Sequence, residues 1–517
     1  MPLKNSSLRL FASLVLGVLA GGALPAAEPF VYAPEVPRSA RYHCLLDGRE
    51  QVVLDSPKGH IVRAAGAPGV AVEIAVTVPV ESVVVRPLAL GIKPRVVGNR
   101  IFFNLERHAS VSVEFNGDLD APLLLFYDAP VPTPAPDSRT RVFAAGRIHE
   151  AGEIKVASGQ RVFLEGGAVV RGRLVIENAE DVRVWGPGVL DQSTRDVRKN
   201  TLYVRRSTRV VIEDVLLLDT FEWSLHLSFS NHVDIRRVRI VGWRANSDGI
   251  DILSSSHVAI ADCFLRNADD CIAIKAGKWD PDPDGVMENI TVERCVLWND
   301  IPGNAFEIGF ELNNRALRGV HFRDCDIIHV LRGAAFSIHN AGVSRVEDIS
   351  FTDIRVEDLR DEFADLYIGL SIYSPDRPPE YFVPGGPRRW TPREHQDHIS
   401  PDNAAQWWLP LDEAERLRYA PGRGSISDVR FHRISFRGPP ARIVLKGYDA
   451  DHVVARVSFS EITSEGRPVD AWPADLLRTA HVRDITFAAR PSGQPLDRPS
   501  HASPPGPPPE PIVPSAR

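Results

Sequence analysis

The chain has 517 residues, 44% hydrophobic and 25% charged, enough for one long repeat array or two to three domains built around a sizeable core. Its formal net charge of −7 is mild and no basic run stands out, which argues against a nucleic-acid partner. Five cysteines are few for a disulfide scaffold and show no CxxC or Cys/His spacing, so neither a metal nor a cofactor is expected.

Residues 1–27 read as a signal peptide. Lys4 and Arg9 give a basic start, Leu10 to Leu19 form an apolar core too short to span a bilayer comfortably, and Ala26 and Ala27 suit a signal peptidase. The expectation is a secreted or periplasmic protein with no stable membrane insertion after cleavage; an uncleaved anchor is the alternative. Residues 28–135 form a distinct block. Its β-rich stretches (Gly69–Val78, Val80–Val85, Arg100–Leu105, Ser110–Phe115, Pro122–Phe126) are separated by turn residues, which predicts a small β-sandwich. The proline-rich segment Pro130–Asp137 is a stiff linker.

Residues 140–490 carry a repeat. An apolar–x–apolar core recurs as Val182-Arg183-Val184, Val210-Val211-Ile212, Val233-Asp234-Ile235, Val258-Ala259-Ile260, Ile290-Thr291-Val292, Val320-His321-Phe322 and Ile349-Ser350-Phe351. After an interruption it resumes at Val429-Arg430-Phe431, Val457-Ser458-Phe459 and Ile485-Thr486-Phe487. Steps of 23–32 residues with short strands and almost no helical periodicity predict an all-β fold, a parallel β-solenoid. A second strand per rung shows the same alternation: Ile250-Asp251-Ile252, Ile272-Ala273-Ile274, Phe306-Glu307-Ile308 and Phe336-Ser337-Ile338. Period-two geometry turns Ile and Phe inward and makes Asp251, Ala273, Glu307 and Ser337 one outward row, with Leu253, Lys275, Gly309 and His339 a second.

Cys263, Cys295 and Cys325 share one repeat position and predict a buried stack, oxidised or not. Residues 360–425 break the period and carry Tyr367, Tyr373, Tyr381, Phe382, Trp390, Trp407, Trp408 and Tyr419. Such a loop beside a solenoid face is a functional element, with a packing lid or oligomer contact as the alternative. Trp243 reads as a packing residue. The segment Trp279–Gly285, with Asp280, Asp282 and Asp284, reads as a rim loop rather than a calcium loop. Residues 491–517, rich in Pro and Ser, predict a disordered tail.

Two acidic clusters carry the chemistry. They are Asn246-Ser247-Asp248-Gly249-Ile250-Asp251-Ile252 and Asn267-Ala268-Asp269-Asp270-Cys271-Ile272-Ala273-Ile274-Lys275. Asp248 stands 21 positions from Asp269 and 22 from Asp270, so one turn of the coil stacks them on neighbouring rungs. Crowded carboxylates raise one another's pKa, which keeps one protonated while others ionise. Glycosidic cleavage needs that division: a proton for the leaving oxygen and an activated water on the opposite side. The plainer reading is that these Asp and Asn residues only cap turns.

The order of these motifs, with Cys271 after the paired aspartates and Gly303-Asn304-Ala305-Phe306-Glu307-Ile308-Gly309 downstream, resembles the polygalacturonases, glycoside hydrolase family 28. The resemblance covers roughly residues 140–490, and the leading block is similar to the N-terminal domain of the family 49 dextranases. It implies a right-handed parallel β-helix and an inverting hydrolase, with Asp269 as general acid and with Asp248 and Asp270 holding and activating the water. Two departures matter. Asn304 stands where the family has a catalytic-site His, and Ser337 and His339 stand in place of the Arg and Lys that pair with a substrate carboxylate. A neutral or unusually decorated polysaccharide or oligosaccharide is therefore favoured over plain galacturonan. Asn304, Glu307, Lys275, His339, Asp251 and His226 are candidate substrate-binding residues, with Trp223 beside His226 in a further subsite; Asp251 also suits an orienting role. A polysaccharide lyase on the same fold and a non-catalytic carbohydrate-binding solenoid are the competing readings. A lyase needs a Lys or Arg base, which paired aspartates do not supply.

Overall fold

The computed structural model describes residues 27–194, 199–244, 246–277, 282–377, 408–409 and 411–488. Residues 1–26 of the expected signal peptide and the expected tail, 491–517, fall outside the described residues, as do Tyr381, Phe382, Trp390, Trp407 and Trp279 to Pro281.

From Thr140 to Ala488 the described residues wind into 31 strands whose long-range pairings are almost all parallel. Each rung pairs with the next, and the parallel crossovers take the right-handed sense that twisted strands favour. The ten apolar–x–apolar cores stack in register on one sheet: Val182 faces Val210, Val210 faces Val233, and so on to Val457 facing Ile485. Their inward residues fill the coil. Toward its end they form a ladder of stacked rings, Phe322, Phe351, Phe431, Phe459 and Phe487, with centroids 4.6–5.0 Å apart and planes within 12° of parallel. Cys263, Cys295 and Cys325 are buried free thiols, each donating to a carbonyl two residues back.

A second sheet, the front sheet, positions the acidic clusters. Its strands include β1 (Leu225–Ser228), β2 (Ile250–Leu253), β3 (Ile272–Ala276), β4 (Phe306–Leu312), β5 (Ala334–Asn340), β6 (Glu362–Ile368), β7 (Arg442–Lys446) and β8 (Leu477–Ala480). The outward row of His226, Asp251, Ala273, Glu307, Ser337 and Asp365 is in register. The second row is broken between β3 and β4. Ile274 pairs with Ile308 but Ala276 pairs with Leu312, so an irregularity over residues 309–311 displaces Lys275 from Gly309.

The interruption is shorter than the periodicity suggests. Strand β6 forms a full rung on the front sheet, pairing with β5 and β7. Strand Arg345–Val356 pairs directly with Ser425–Phe436, so the inserted segment runs from 369 to 424. It carries a helix, Glu413–Tyr419, closed by a capping box between Asp412 and Glu415.

The N-terminal block has two sheets, of six and five strands, around one core that includes Tyr42, Val62, Ile74, Val111 and Leu125. Strands Tyr42–Leu46, Arg49–Gln51 and His60–Ala65 add to the five stretches legible in the sequence. The block packs against the third face of the coil, where Ile61, Leu124 and Phe126 meet Leu216, Phe264 and Trp298. Buried cations close the junction. Arg63 donates to the carbonyls of Pro187 and Asp214, at 3.0 and 2.7 Å, and Arg239 donates to Asp128 at 2.7 Å. Trp243 is 39% exposed, with the Arg244 guanidinium over its ring, and so is not a core residue: it rides on the turn between the third face and β2.

Candidate active site

The sites of the two clusters follow from backbone register. Gly249 N–H donates to the Asp270 carbonyl and Cys271 N–H to the Asn304 carbonyl. Asp248, Asp270 and Asn304 therefore occupy equivalent positions at the entrances of β2, β3 and β4. Asp269 sits one residue earlier, beside Gly303. Gly303 has φ +98°, and a Cβ there would lie 2.5 Å from the Asp269 carbonyl carbon and the Asp270 nitrogen, so only glycine lets the next turn pass this closely.

One ammonium serves the clusters. Lys275 Nζ donates to Asp251 Oδ1 at 2.6 Å and Asp248 Oδ2 at 3.1 Å, and sits 4.2 Å above the Trp223 ring. Burial alone would lower the pKa of Lys275; Asp251, Asp248 and Glu311 override it and hold the group charged. Asp269 and Asp270 are only partly buried. Burial, then the Asp248 carboxylate and Glu307, push Asp269 up to about 8 against the pull of Lys275. Asp270 is raised well above the ordinary carboxylate range by burial, Asp269, Glu307 and Asp248. With so many carboxyls around one cation, a proton stays in the group at neutral pH and belongs to the set.

Asn304 fixes Asp270. Its backbone N–H donates to Asp270 Oδ1 at 2.7 Å and its amide Nδ2 to the same oxygen at 3.3 Å. The amide also donates to Glu307 Oε2 at 2.9 Å, and its Oδ1 accepts from the Ala334 N–H at 2.8 Å, which sets the amide orientation. Behind Asn304 runs a sealed chain of charge. The Ser337 hydroxyl donates to Glu307 Oε2. His339 Nδ1 lies 3.1 Å from Glu307 Oε1 and Nε2 lies 2.9 Å from Asp365 Oδ2. Burial disfavours the imidazolium, but the two carboxylates outweigh it and raise His339 well above its usual value.

Outward position on the front sheet does not mean exposure. Asp251, Glu307, Ser337 and His339 are 0–4% exposed. The Phe310 ring stacks on His339 at 4.5 Å, with Tyr373 and Trp408 packed on Phe310. His226 is buried between Tyr203 and Trp223. Glu307 is covered and paired with His339, so its charge does not face a substrate. Neither Ser337 nor His339 presents a cation at the surface. Of the residues singled out in the sequence, the structure groups Asp248, Asp251, Asp269, Asp270, Lys275, Asn304 and Glu307, and sets His339 behind them and His226 to one side. Sequence reasoning missed Asp365, Glu311 and Phe310. Asp365 was detectable: Ala364-Asp365-Leu366 repeats the apolar–x–apolar pattern of β2 to β5, but it fell in the stretch assigned to the insertion.

Residues 153–363 match the family model described as glycosyl hydrolases family 28. Over 191 residues the chain is 27% identical to a probable polygalacturonase of Arabidopsis thaliana, covering 36% of this chain and 39% of that one. A probable polygalacturonase of Vitis vinifera is 33% identical over 76 residues, 14% of this chain and 15% of its own. The chain thus spans 39% or less of the length of these two curated relatives. Among solved structures, Dex49A from Penicillium minioluteum superposes with a TM-score of 0.56 at 11% identity, over 87% of this chain and 96% of that one, a likeness of fold. With its β-helix, its acidic turns on adjacent rungs and the match over residues 153–363, the chain is similar to glycosyl hydrolases family 28 over that stretch.

Proposed function

We propose that the chain is a secreted or periplasmic glycoside hydrolase that cleaves a polysaccharide with inversion, using Asp269 as general acid and Asp248 and Asp270 to hold and activate water. The observation that carries this reading is the charge imbalance at the entrances of β2 and β3. Asp269 is raised to about 8 and partly open to solvent, while Lys275 bonds to Asp248. In the step proposed, water attacks the anomeric carbon, the bond to the leaving oxygen breaks, and the Asp269 proton moves to that oxygen. The proton lost by the water passes to the Asp248–Asp270 side, where Asn304 fixes the Asp270 carboxylate.

Specificity follows from what is sealed. Ser337 and His339 are buried, His339 beneath Phe310, so neither presents a surface cation to a uronate, which supports a unit at the scission point without a carboxylate requirement. A hydrolysis screen across glycans, with the anomer of the first-formed product followed by NMR, tests the reading. An inverted product and weak or no turnover of unsubstituted polygalacturonate are expected. A retained anomer would overturn the assignment of inversion, and robust polygalacturonate cleavage the specificity. Release of a mature protein lacking about the first 27 residues from an expressing cell checks export.

A further inference from the structure

Three ionisable groups, Glu307, His339 and Asp365, lie end to end across β4, β5 and β6 and are 1–4% exposed. Ions are costly to bury, so a sealed set with no surface outlet calls for a reason. The set is short. Ala273 stands beside Glu307 in the outward row and Val444 beside Asp365, so uncharged neighbours bound it on both sides. Both ring nitrogens of His339 face carboxylate oxygens, Glu307 Oε1 at 3.1 Å and Asp365 Oδ2 at 2.9 Å. With both carboxylates ionised, only the doubly protonated ring donates to both. The Phe310 ring at 4.5 Å and the Trp408 ring at 5.7 Å cover His339. Glu362 on β6 also feels this charge, and burial and Asp365 raise it to about 9. Tyr367, the partner of His339 in register, and Tyr373 are phenols held protonated by burial.

Hydrogen bonds leave the set by one route. Among the described residues, Glu307, Ser337, His339 and Asp365 bond to one another, to the Phe306 carbonyl through Ser337 at 3.0 Å, and to Asn304. The Asn304 amide is fixed at both ends. Its Oδ1 accepts from the Ala334 N–H at 2.8 Å and its Nδ2 donates to Glu307 Oε2 at 2.9 Å. The same Nδ2 lies 3.3 Å from Asp270 Oδ1. The sealed charges therefore reach the acidic turns through one side chain.

We propose that His339 is a positioning residue for hydrolysis: its imidazolium holds Glu307 as an anion, Glu307 aims the Asn304 amide, and that amide holds the Asp270 carboxylate. The link to hydrolysis rests on the function proposed above. His339 then serves the water-activating side of the site and touches no substrate, although alternation along β5 places it among the outward residues. A second effect follows the same path. Asp270 ionises among Asp269, Glu307 and Asp248, with Lys275 opposing them. The imidazolium offsets the Glu307 charge and so eases that ionisation.

Steady-state kinetics of the full chain across pH test it, on the glycan that the hydrolysis screen identifies. His339→Gln is expected to lower kcat about ten- to hundred-fold with KM within about twofold, the cost of a misplaced group. It also moves the acid limb of the kcat profile to higher pH, because Glu307 then acts on Asp270 unopposed. Glu307→Gln, nearly the same shape, removes the anion and moves that limb to lower pH. In an Asn304→Ala background the path is cut, and His339→Gln costs about twofold or less. An unmoved kcat in His339→Gln, a loss carried by KM, limbs that move the same way in both variants, or the full loss repeated in the Asn304→Ala background overturns the proposal. Nitrogen-15 spectra of the histidine-labelled chain read the ring directly, with the His339 signal identified by its response to Asp365→Asn. Both nitrogens are expected to be protonated at neutral pH; a neutral ring overturns the proposal even where His339→Gln fails to fold. Absence of turnover on every glycan would instead overturn the function proposed above and leave the nitrogen-15 result standing.

Discussion

Two rows of charged residues stack along the same coil, and they are built to opposite ends. On an outer turn, Asp214, Arg237, Asp262 and Arg294 all adopt left-handed backbone, φ 50–65°. They pair off as bidentate bridges: Arg237 to Asp214 at 2.6 and 3.2 Å, and Arg294 to Asp262 at 2.8 and 3.0 Å. Every carboxylate there has its own guanidinium. At the entrances of β2, β3 and β4 the stack is Asp248, Asp270 and Asn304, flanked by Asp269, Asp251 and Glu307, with Lys275 the cation bonded to Asp248 and Asp251. The coil brings like charge together as readily as unlike charge. The outer row is a stability device; the crowded acidic row keeps a proton where an ordinary carboxyl would lose it.

The largest test of that contrast is Asp269→Asn. Glycan hydrolysis is expected to fall about 10²–10⁴-fold with the fold intact, the loss that removing the proposed general acid would cause; parental rates in a steady-state assay would remove Asp269 from the role. Next is Lys275→Met, which removes the ammonium bonded to the buried Asp248 and Asp251. Urea unfolding should show a loss of about 3–5 kcal/mol, and a loss below about 1 kcal/mol would mean that the acidic row is no more dependent on its cation than the outer row. Asn304→Ala removes the amide that ties Asp270 to Glu307, and a drop in kcat of up to about 100-fold is expected from misplacing the carboxylate, read beside an unchanged melting temperature.

The pH dependence sharpens the comparison. Asp269 sits at about 8 folded against about 3.9 unfolded, so the folded chain binds the additional proton. The stability this proton contributes is complete below about pH 4 and is lost as pH rises through about 8. Asp269→Asn stays neutral throughout, so its melting temperature should exceed the parent's by more at about pH 9 than at about pH 5; a constant difference would show that no proton is held there. The smallest effect belongs to the outer row: Arg294→Ala should cost about 0.2–1 kcal/mol, as exposed bridges do.

The acidic clusters and the coil were legible for one reason: the repeat is periodic, and position within a repeat converts directly into position on a sheet. The same arithmetic reached Glu307, Ser337 and His339. It stopped where the period broke. Asp365 belongs to the next copy of the pattern, yet the long gap before Phe431 concealed that β6 completes a rung before the inserted segment begins. Trp243 was unreadable for a different reason, because a single tryptophan in a turn carries no signal of which side it faces.

What the sequence by itself determined is the stacking: the rung length, the inward apolar residues and the meeting of Asp248 with Asp269 and Asp270 on adjacent turns, all local consequences of a repeating strand. What only the tertiary structure decided is access and charge balance. Phe310, Tyr373 and Trp408 seal His339 from distant points in the chain, and Lys446, Arg442 and Arg478 gather beyond them on a face that the alternation marks only as outward. Burial and ion pairing depend on which side chains from remote rungs and inserted segments cover a row, and no one-dimensional spacing encodes that.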